Sequence, residues 1–561
     1  MNLGQILTQR FNLTADQWQA CLDEHKRSQA SLVRLLINKN LVPEQNLLQV
    51  LSEHLNIPLV RITPEDIDTS LIKDIPAKFV THYNFMPLKA VGASVRIAVN
   101  DPLDVLVLDE ISQFLKRPVA AVLASEKDIL DAIKNYYGVG AETLEAMAGE
   151  AAQPQELEFL TGSDNADLKD EDIDPSVIKF LNQIFQEAIK QRATDVHFEP
   201  FENDLRIRYR IDGILYEVPV PPTIKRFQSS IASRIKVMAN LDIAEKRRPQ
   251  DGRVDVRMEG EVYDLRISIM PTPFGESIGI RVLPRSSPVI GLEGLGLDSD
   301  GLVSLERMIA KPYGIILVTG PTGSGKTTTL YASLNKINST ERKILTIEDP
   351  IEYQLAGITQ MQVEPKISFT FANALRSMLR HDPDVMMVGE IRDSETAELA
   401  VRTALTGHLV FSTLHTNDAA GGITRLLDMG IDPFLVSSSV ILIIAQRLVR
   451  MICPQCRQKI PDSESLVRQF FPDKPLTAAL YQGKGCESCR FTGYKGRTAI
   501  FEMIVISDEI RELVLKKQPT HIIKQKAVSQ GMRALRDAGW EKIIRGVTTI
   551  DEVVRVTQEE A

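Results

Sequence analysis

The fold of this chain is decided near its middle by the sequence Gly320-Pro321-Thr322-Gly323-Ser324-Gly325-Lys326-Thr327. It has the Walker A pattern, with an apolar run over residues 314–319 before it and a helix-forming stretch over 328–337 after it. In that context, glycines let successive backbone N–H groups approach phosphate oxygens, which a side chain would block. The following helix adds unsatisfied amides and the positive end of its dipole. The sequence therefore predicts a loop that binds a nucleoside triphosphate.

Two side chains at the end of this loop are expected to complete the phosphate contacts. The Lys326 ammonium is predicted to reach the β- and γ-phosphates, and the Thr327 hydroxyl is predicted to ligate Mg²⁺. The competing interpretation is a glycine-rich turn that arose by chance. The flanking strand and helix disfavour that interpretation, because they supply the structural context that the motif requires.

Three further strand-like runs after the loop end in polar residues. Residues 344–347 precede Glu348 and Glu352, and residues 385–388 precede Glu390 in the Walker B pattern. Acids at the carboxyl ends of parallel strands face the ligand crevice, where a carboxylate holds Mg²⁺ or orients water. The run 409–415 ends in His415, which is expected either to sense the γ-phosphate or to be a hydrogen-bonded structural histidine.

The spacing of four cysteines predicts a metal centre. Cys453 and Cys456 form one Cys-x-x-Cys pair, and Cys486 and Cys489 form another. Two such pairs place four thiolates around one tetrahedral ion, and this soft donor set suits Zn²⁺. We expect a zinc module at about residues 450–496 that stabilises a hairpin-like excursion. An iron–sulfur cluster, a redox dithiol and inert cysteines are the alternatives. The fifth cysteine, Cys21, is expected to be packed in a core.

The composition is that of an ordinary globular chain with several domains. Its 561 residues carry a net charge of −9 with a pI of about 5.6, which disfavours a broad nucleic-acid-binding surface. The most apolar stretch, residues 434–449, is interrupted by polar residues, and the N-terminus has no signal-peptide core. We therefore expect a cytosolic protein whose membrane contacts go through partners.

Four segments are predicted from pattern changes along the chain. Residues 1–140 form an N-terminal docking or regulatory domain, with a helical repeat offset by 29 residues followed by an α/β part. Residues 141–172 form a flexible acidic linker. Residues 173–287 form a second α/β domain, and residues 288–561 form a domain with a doubly wound parallel sheet.

Arginines alternate along one predicted strand of the second domain. Arg206, Arg208 and Arg210 occupy every second position, so they share one face of a sheet. Arg266, on another strand, would extend that face if the two strands were neighbours. This face is either simply solvated or meets an anion.

The motifs taken together carry a resemblance to a known family. The strings GPTGSGKT, TIEDPIEY, RHDPDVMMVGEIRD and TGHLVFSTLHTN, with ATDVHFEP, RIRYRIDG and LDIAEKRRPQDGR earlier in the chain, are similar to those of type II secretion and type IV pilus ATPases. The resemblance covers about residues 173–561. It implies a RecA-like P-loop ATPase core and a homo-hexameric ring that couples ATP hydrolysis to movement of an inner-membrane partner. The cysteine module is similar to that of assembly and secretion ATPases of the family, whereas the retraction ATPases usually lack it.

The resemblance also implies roles for individual residues. By resemblance, Glu352 is the water-activating carboxylate, with Glu348 as its competitor, and Glu390 is the Walker B acid. His408 and His415 match the family's histidine motif. Four arginines are candidates to reach the triphosphate across a domain or subunit boundary, an effect worth ~10³–10⁵ in rate in other NTPases: Arg208, Arg210, Arg266 and Arg281.

Some predictions concern what the chain does not do. The N-terminal repeats resemble cyclic-di-GMP-binding repeats of some relatives but lack their arginines and most of their glycines, so we expect no tight binding of that ligand. A RecA-like nucleic-acid motor and a nucleotide-gated scaffold without turnover are the competing functions. Between machines, the segments LLDMGIDPFLVSSS and AQRLVRMICPQC favour the type II secretion branch, that of general secretory pathway protein E, over pilus extension.

Overall fold

The structure of the protein is a computed structural model. It describes residues 6–7, 10–11, 13–28, 31–39, 41–138, 158–159, 175–285 and 290–558. The chain divides into two compact units, Met1–Pro284 and Arg285–Ala561. The predicted acidic linker, 141–172, lies outside the described residues except at 158–159, where the backbone forms a short strand.

The first unit begins with short helices and a small sheet. The elements are α1 (Ala15–Ser28), α2 (Leu32–Asn38), α3 (Glu44–Leu55), α4 (Thr69–Asp74), α5 (Ala77–Tyr83), β1 (Phe85–Val91), β2 (Ser94–Val99), α6 (Val105–Leu115), β3 (Val119–Leu123) and α7 (Glu126–Tyr137). Strand β2 is antiparallel to β1 and parallel to β3. The repeat-related pairs Leu7 and Leu36, and Leu13 and Val42, are all buried in one helical core that also contains Cys21.

The remainder of the first unit is a seven-stranded antiparallel sheet with helices on one face. The elements are β4 (Glu158–Phe159), α8 (Pro175–Lys190), β5 (Asp195–Pro200), β6 (Leu205–Ile211), β7 (Ile214–Val218), α9 (Gln228–Met238), β8 (Gln250–Met258), β9 (Glu261–Thr272) and β10 (Gly275–Pro284). The strand order is β4-β8-β9-β10-β5-β6-β7. Apolar residues of α8 and α9 pack with inward-facing residues such as Val196 and Ile267. Alternate residues of β6, including Arg208, face the other side.

The second unit is built on a second seven-stranded sheet. Its elements up to the cysteine region are α10 (Ser299–Ile309), β11 (Gly314–Thr319), α11 (Lys326–Ile337), β12 (Ile344–Glu348), β13 (Thr359–Gln362), α12 (Phe371–Met378), β14 (Val385–Val388), α13 (Ser394–Leu405), β15 (Leu409–Leu414), α14 (Ala419–Asp428), α15 (Pro433–Ser439) and β16 (Val440–Ile452). Those that follow are β17 (Arg457–Lys459), α16 (Ser463–Phe470), β18 (Tyr481–Gly483), β19 (Tyr494–Val505), α17 (Asp508–Leu515), α18 (Thr520–Ser529), α19 (Leu535–Ile544) and α20 (Ile550–Thr557).

This second sheet is doubly wound, as predicted. The strand order is β13-β12-β14-β15-β11-β16-β19, and every pair is parallel except β16 with β19. Helices α10 and α11 pack on one face, while α12–α15 and α17–α20 pack on the other. Strands β11, β12, β14 and β15 are buried along their whole length, because both faces are covered.

The order of these strands creates a crevice at the carboxyl-terminal ends of the parallel strands, which we call the crevice edge of the sheet. The chain leaves β11, passes beyond β15 and β14 to form β12, and then returns to form β14 and β15. Connections therefore diverge next to β11, which is the position where doubly wound sheets bind ligands at the carboxyl ends of their strands. The loop 320–325, the acids after β12 and β14, and His415 after β15 all follow carboxyl ends at this edge.

Candidate functional site

The glycine-rich loop connects β11 to α11 in backbone conformations that side chains disfavour. Gly320, Gly323 and Gly325 have φ angles of +145°, +78° and +89°. A Cβ atom on Gly320 would lie 2.6 Å from the Gln446 carbonyl oxygen, and one on Gly325 would lie 2.7 Å from Gln446 Nε2. Gln446 belongs to β16, the strand beside β11, so glycine is required here both by the turn and by close packing. The loop curls over the start of α11, with Pro321, Thr322 and Gly323 exposed.

Lys326 begins α11 and folds back over this loop. Its Nζ atom donates to the carbonyl oxygens of Gly320 at 2.8 Å and Pro321 at 3.1 Å. Burial lowers the pKa of Lys326, an effect that nearby Glu390 opposes and Arg447 reinforces. Ser324 Oγ is buried and makes no hydrogen bond within the described part of the chain. An ammonium and a buried hydroxyl thus face the same small loop, which fits a polyanionic ligand.

Glu390 and His415 meet at the carboxyl ends of neighbouring strands. Glu390 follows β14 and His415 follows β15, and His415 Nε2 lies 3.3 Å from Glu390 Oε2. The other oxygen of Glu390 forms an ion pair with Arg392, whose guanidinium also lies 3.8 Å from the Asp349 carboxylate. The Glu390 carboxylate also favours the charged form of Lys326, which counters the lowering of the lysine pKa by burial. Glu390 and the half-buried Thr327 supply the oxygen donors that Mg²⁺ prefers.

Glu348, the last residue of β12, is enclosed by hydrogen-bond donors. Its carboxylate accepts from the Tyr331 hydroxyl, from Thr346 Oγ1 at 2.6 Å and from Gln360 Nε2 at 3.1 Å. Only 3% of the residue is exposed. Burial raises the pKa of Glu348, although its hydrogen bonds oppose that rise. The Glu348 carboxylate therefore makes its hydrogen bonds to neighbouring side chains of the protein.

Glu352 lies beyond this buried cluster, on the half-buried segment that follows β12. Its backbone N–H donates to the Tyr331 hydroxyl at 3.4 Å, so Tyr331 bridges Glu348 and the segment that carries Glu352. Tyr353 packs edge-on against the Tyr331 ring with centroids 4.6 Å apart, and burial raises the pKa of Tyr353 to about 12. Glu348 therefore anchors the segment that follows β12 through Tyr331. Glu352 belongs to this segment and lies after the carboxyl end of β12.

The structure places the two predicted histidines at opposite ends of β15. His408 precedes the strand, and its Nδ1 lies 3.1 Å from the Thr403 carbonyl oxygen and 3.2 Å from Thr406 Oγ1. Its own carbonyl oxygen accepts from the backbone N–H of Gly314, at the start of β11. The six residues of β15 separate the two histidines by roughly 20 Å. Only His415 is therefore brought to the phosphate loop of its own chain.

The four candidate arginines lie on the first unit, on the uncovered face of its sheet. Strands β6 and β9 are not neighbours, because β10 and β5 lie between them, yet their arginines fall in one cross-strand row: Arg253, Arg266, Arg281, Asp195 and Arg210. Asp195 lies 3.2 Å from Arg281 and 3.6 Å from Arg210. Arg266 pairs with Asp264 at 3.3 Å, and Arg208 pairs with Glu199. The face is cationic, with carboxylates interspersed.

The four cysteines of the second unit converge on one point. Cys453 and Cys456 follow β16, Cys486 and Cys489 precede β19, and the β17–β18 ribbon lies between the pairs. All four sulfur atoms lie within 4.8 Å of one another, and three of their separations are 3.7–3.8 Å. A tetrahedron with Zn–S bonds of about 2.3 Å has edges of about 3.8 Å, so the geometry fits a zinc ion.

Backbone N–H groups surround these sulfurs. Gly485 donates to Cys456 Sγ at 3.3 Å, and Cys486 and Gly493 donate to Cys489 Sγ at 3.2 and 3.3 Å. Burial tends to raise the pKa of Cys489, but the N–H donors outweigh it and lower the pKa to about 7. These donors favour the thiolate form that a metal requires.

Sequence reasoning missed several residues that shape the phosphate site. Gln446 accepts a hydrogen bond from Thr329 of α11 at 2.7 Å through Oε1, and Arg447 donates to the Asn417 carbonyl oxygen at 2.8 Å. Both interrupt the apolar run of β16, and polar residues in a buried strand were the available signal. Tyr331 gave no such signal, because a tyrosine on a buried helix face is usual.

Among the described residues, no helix combines the length and the apolar character needed to cross a bilayer.

Comparisons with known proteins agree with this architecture. Residues 170–555 match the Type II/IV secretion system protein family, and residues 55–143 match the MshEN domain. The type IV pilus assembly ATPase PilB of Myxococcus xanthus is 40% identical over 556 residues, which cover 98% of each chain. The type II secretion system protein E of Dickeya dadantii is 49% identical over 397 residues, covering 71% of this chain and 79% of that one.

The solved structures show the same fold. The Legionella pneumophila ATPase DotB superposes with a TM-score of 0.50 at 22% identity, covering 68% of this chain and 96% of DotB. Together with the family match and the doubly wound sheet, this likeness gives the second unit the RecA-like P-loop fold predicted from its motifs. Since the family match spans most of the chain and the pilus relative matches along nearly its whole length, the protein belongs to the type II/IV secretion family of ATP-hydrolysing enzymes.

Proposed function

We propose that the chain is a hexameric motor ATPase that drives type II protein secretion, by pseudopilus assembly through an inner-membrane partner. The observation that carries the proposal is the convergence of the phosphate loop, Glu390 and His415 at one edge of a RecA-like sheet. Type IV pilus extension is the alternative, supported by the 40% identity to a pilus assembly ATPase along 98% of the chain. The 49% identity to a type II secretion protein supports secretion over a shorter span.

Within this proposal, ATP binds with Mg²⁺ at the loop 320–327. Lys326 exchanges its two loop carbonyl partners for β- and γ-phosphate oxygens, and Thr327 and Glu390 are the residues that would hold the cation. Mg²⁺ would neutralise charge on the phosphates. His415, in contact with Glu390, lies where it can respond to the γ-phosphate.

Glu352 is the proposed water-activating carboxylate, in preference to Glu348. A general base must be accessible from the crevice, because it has to come within hydrogen-bond distance of the water whose proton it accepts. Glu348 accepts from three protein donors and is almost completely buried, so it serves the fold of the segment. Glu352 lies on the adjacent half-buried segment, at the same edge of the sheet as Glu390.

The arginine-lined sheet of the first unit is proposed to supply cations to the triphosphate across a domain or subunit boundary. Arg208, Arg210, Arg266 and Arg281 all project from the face that helices do not cover. Asp195 faces two of them, which keeps the arginine side chains ordered before a phosphate competes for them. His408 is assigned no contact with the nucleotide of its own chain.

The other predictions form part of the same proposal. The four cysteines hold a structural Zn²⁺ in the module at 450–496. The segment 1–140 docks the enzyme to a partner and does not bind cyclic-di-GMP tightly. Residues 141–172 link it to the arginine-bearing domain at 173–287, and the motor domain occupies 288–561. The enzyme acts at the cytoplasmic side of the inner membrane, with no nucleic-acid substrate.

Steady-state ATP hydrolysis by the purified full chain tests the assigned roles. Glu390→Gln and Glu352→Gln are each expected to lower kcat by at least ~10²-fold, as loss of metal binding or of a general base would. Glu348→Gln is expected to lower thermal stability more than kcat, because a buried acceptor is lost. The control is Glu398→Gln, an exposed glutamate on α13 that pairs with Arg402. Unchanged turnover in Glu390→Gln would refute the assignment.

A deletion strain distinguishes the two machines. Loss of extracellular enzymes with pili retained supports secretion, and the reverse result supports pilus extension.

A further inference from the structure

Glu502 is a buried carboxylate that the proposed reaction does not use. It lies on β19, at the far side of β16 from the phosphate loop, with 0% of its side chain exposed. Its Oε1 accepts from the backbone N–H of Ala419 at 2.9 Å, and its Oε2 accepts from that of Leu535 at 3.4 Å. These are the first residues of α14 and α19, so one carboxylate binds the amino ends of two helices.

A lysine joins Glu502 to a second carboxylate. Lys524 Nζ, on α18, lies 3.3 Å from Glu502 Oε2 and 3.3 Å from Asp418 Oδ2. Asp418 is the N-cap of α14, and its Oδ1 accepts from the backbone N–H of Gly421 at 2.7 Å. We call Glu502, Lys524 and Asp418 the buried triad. A buried ionic group of this kind is weak evidence for a stabilising role, because its desolvation offsets much of its attraction.

The triad holds the short loop that carries His415. Residues 416–418 are all that separate His415 from α14. The Asp418 carbonyl oxygen accepts from Thr319 Oγ1, at the end of β11, at 3.5 Å, and from Thr416 Oγ1 at 3.0 Å. The Asn417 carbonyl oxygen accepts a hydrogen bond from Arg447, whose positive charge also lowers the pKa of Lys326. A displacement of Asp418 would therefore be transmitted to the last residue of the phosphate-loop strand and to His415.

We propose that the buried triad is a positioning device for the phosphate site, holding His415 against Glu390 and tying that contact to helices α18 and α19. The inference rests on the proposed function, because it concerns how His415 and Glu390 of the proposed site are held in position. Glu502 lies on β19, across β16 from the strand that precedes the loop 320–327, and Lys524 reaches it from α18. They act through the loop 416–418, so their loss would affect the chemical step more than the binding of ATP, which depends on the loop 320–327.

The test uses the full chain with Glu502→Gln and Lys524→Met. For each variant, kcat and KM for ATP, the melting temperature and amide hydrogen exchange of a peptide spanning 409–420 are measured. We expect kcat to fall about tenfold, KM to change less than about twofold, and exchange in 409–420 to accelerate. Lys524→Arg retains the positive charge, so it is expected to keep most of the kcat that Lys524→Met loses. In a His415→Ala background, Glu502→Gln should cause less than about a twofold further loss, since the pathway is already broken.

The matched control is Glu552→Gln. Glu552 is another buried glutamate of the same unit, 1% exposed, that pairs with Arg450 of β16 at 2.9 Å on the side of the cysteine centre. It should lower the melting temperature without slowing turnover or altering exchange in 409–420. If the triad variants only lower the melting temperature, or if their kcat loss multiplies fully with that of His415→Ala, the inference is wrong. Absence of turnover in the wild type would instead refute the proposed function, and the exchange measurement would still decide the role of the triad.

Discussion

The phosphate loop and the cysteine centre are both built to stabilise negative charge, but the charge comes from different sources. In the cysteine centre, N–H groups of Gly485, Cys486 and Gly493 already donate to sulfur atoms of the chain itself. In the phosphate loop, Gly320, Gly323 and Gly325 have positive φ angles, and Lys326 Nζ donates to the carbonyl oxygens of Gly320 and Pro321. Both regions are built to stabilise negative charge. One carries that charge in its own residues, whereas the other is arranged for an anion from outside.

Under the proposed function, this difference separates a site that holds the structure from a site that performs chemistry. Structural metal centres close their coordination with protein ligands, whereas catalytic sites leave positions for substrate. A variant in the cysteine centre should therefore affect stability first, and a variant in the phosphate loop should affect rate first. The following predictions test that separation, from the largest expected effect to the smallest.

Lys326→Ala should produce the largest effect. Loss of the charge directed at the transferred phosphate is expected to lower the rate of ATP hydrolysis by about 10²–10³-fold or more, with little change in melting temperature. The control is Lys336→Ala, in the last turn of the same helix, where Lys336 pairs with Glu306 at the surface. A large drop in melting temperature for Lys326→Ala would show that the lysine stabilises the loop itself.

Cys489→Ser should reduce bound zinc and thermal stability together. The wild type is expected to carry one zinc per chain, measured by atomic emission, and the variant to lose it and melt several degrees lower, because one of four ligands is gone. Hydrolysis measured well below the melting temperature should change little. Cys21→Ser is the control, since it removes a buried thiol of the helical core and should leave the zinc content unchanged. Equal zinc in both variants would contradict the assignment.

The stability contributed by Glu552 should depend on pH in the acid range. Burial works to raise the pKa of Glu552, but Arg555 and Arg450 outweigh it and lower the pKa to about 2. A carboxyl group with a depressed folded-state pKa stabilises the protein above its unfolded value, near 4.5, and loses that contribution as the pH falls towards 2.

The melting-temperature difference between wild type and Glu552→Gln should therefore stay constant from pH 8 to about 5.5 and shrink below about 4.5. The lowered pKa of Glu552 corresponds to a contribution of about 3 kcal/mol to the free energy of unfolding at neutral pH. If the melting-temperature difference grew as the pH fell, the pH dependence would have the opposite sign. The ion pair of Glu552 would then be excluded as its cause.

The parts of the site that could be predicted are those whose chemistry is local. The loop 320–327 lies within one turn of chain, and the cysteine pairs each span four residues, so spacing alone defines their geometry. Glu390 and His415 were identified because each follows a buried strand. Whether those strands are neighbours depends on sheet order, and the separation of 3.3 Å between the two side chains follows only from the pairing of β14 with β15.

The arginines and His408 show where such reasoning stops. The alternation on β6 correctly places Arg208 and Arg210 on one face, but the condition that β9 be its neighbour is wrong, since β10 and β5 intervene. Arg266 still shares the row, because register across four strands aligns it with Arg210. His408 is only seven residues from His415 in the sequence, yet it lies at the amino end of β15 and His415 lies at the carboxyl end. Closeness along the chain therefore did not predict which histidine lies at the phosphate site.

By itself, the sequence determined the pattern of the phosphate loop, the positions of the acids and histidine after buried strands, the two cysteine pairs and the doubly wound class of the second unit. These features depend on short spacing and on hydrophobic periodicity. Only the tertiary structure decided that Glu348 is held by Tyr331, Thr346 and Gln360, and that Glu502 and Lys524 reach the loop beside His415. Those contacts join residues from different strands and helices. They arise when the packed sheet brings side chains together that no local pattern relates.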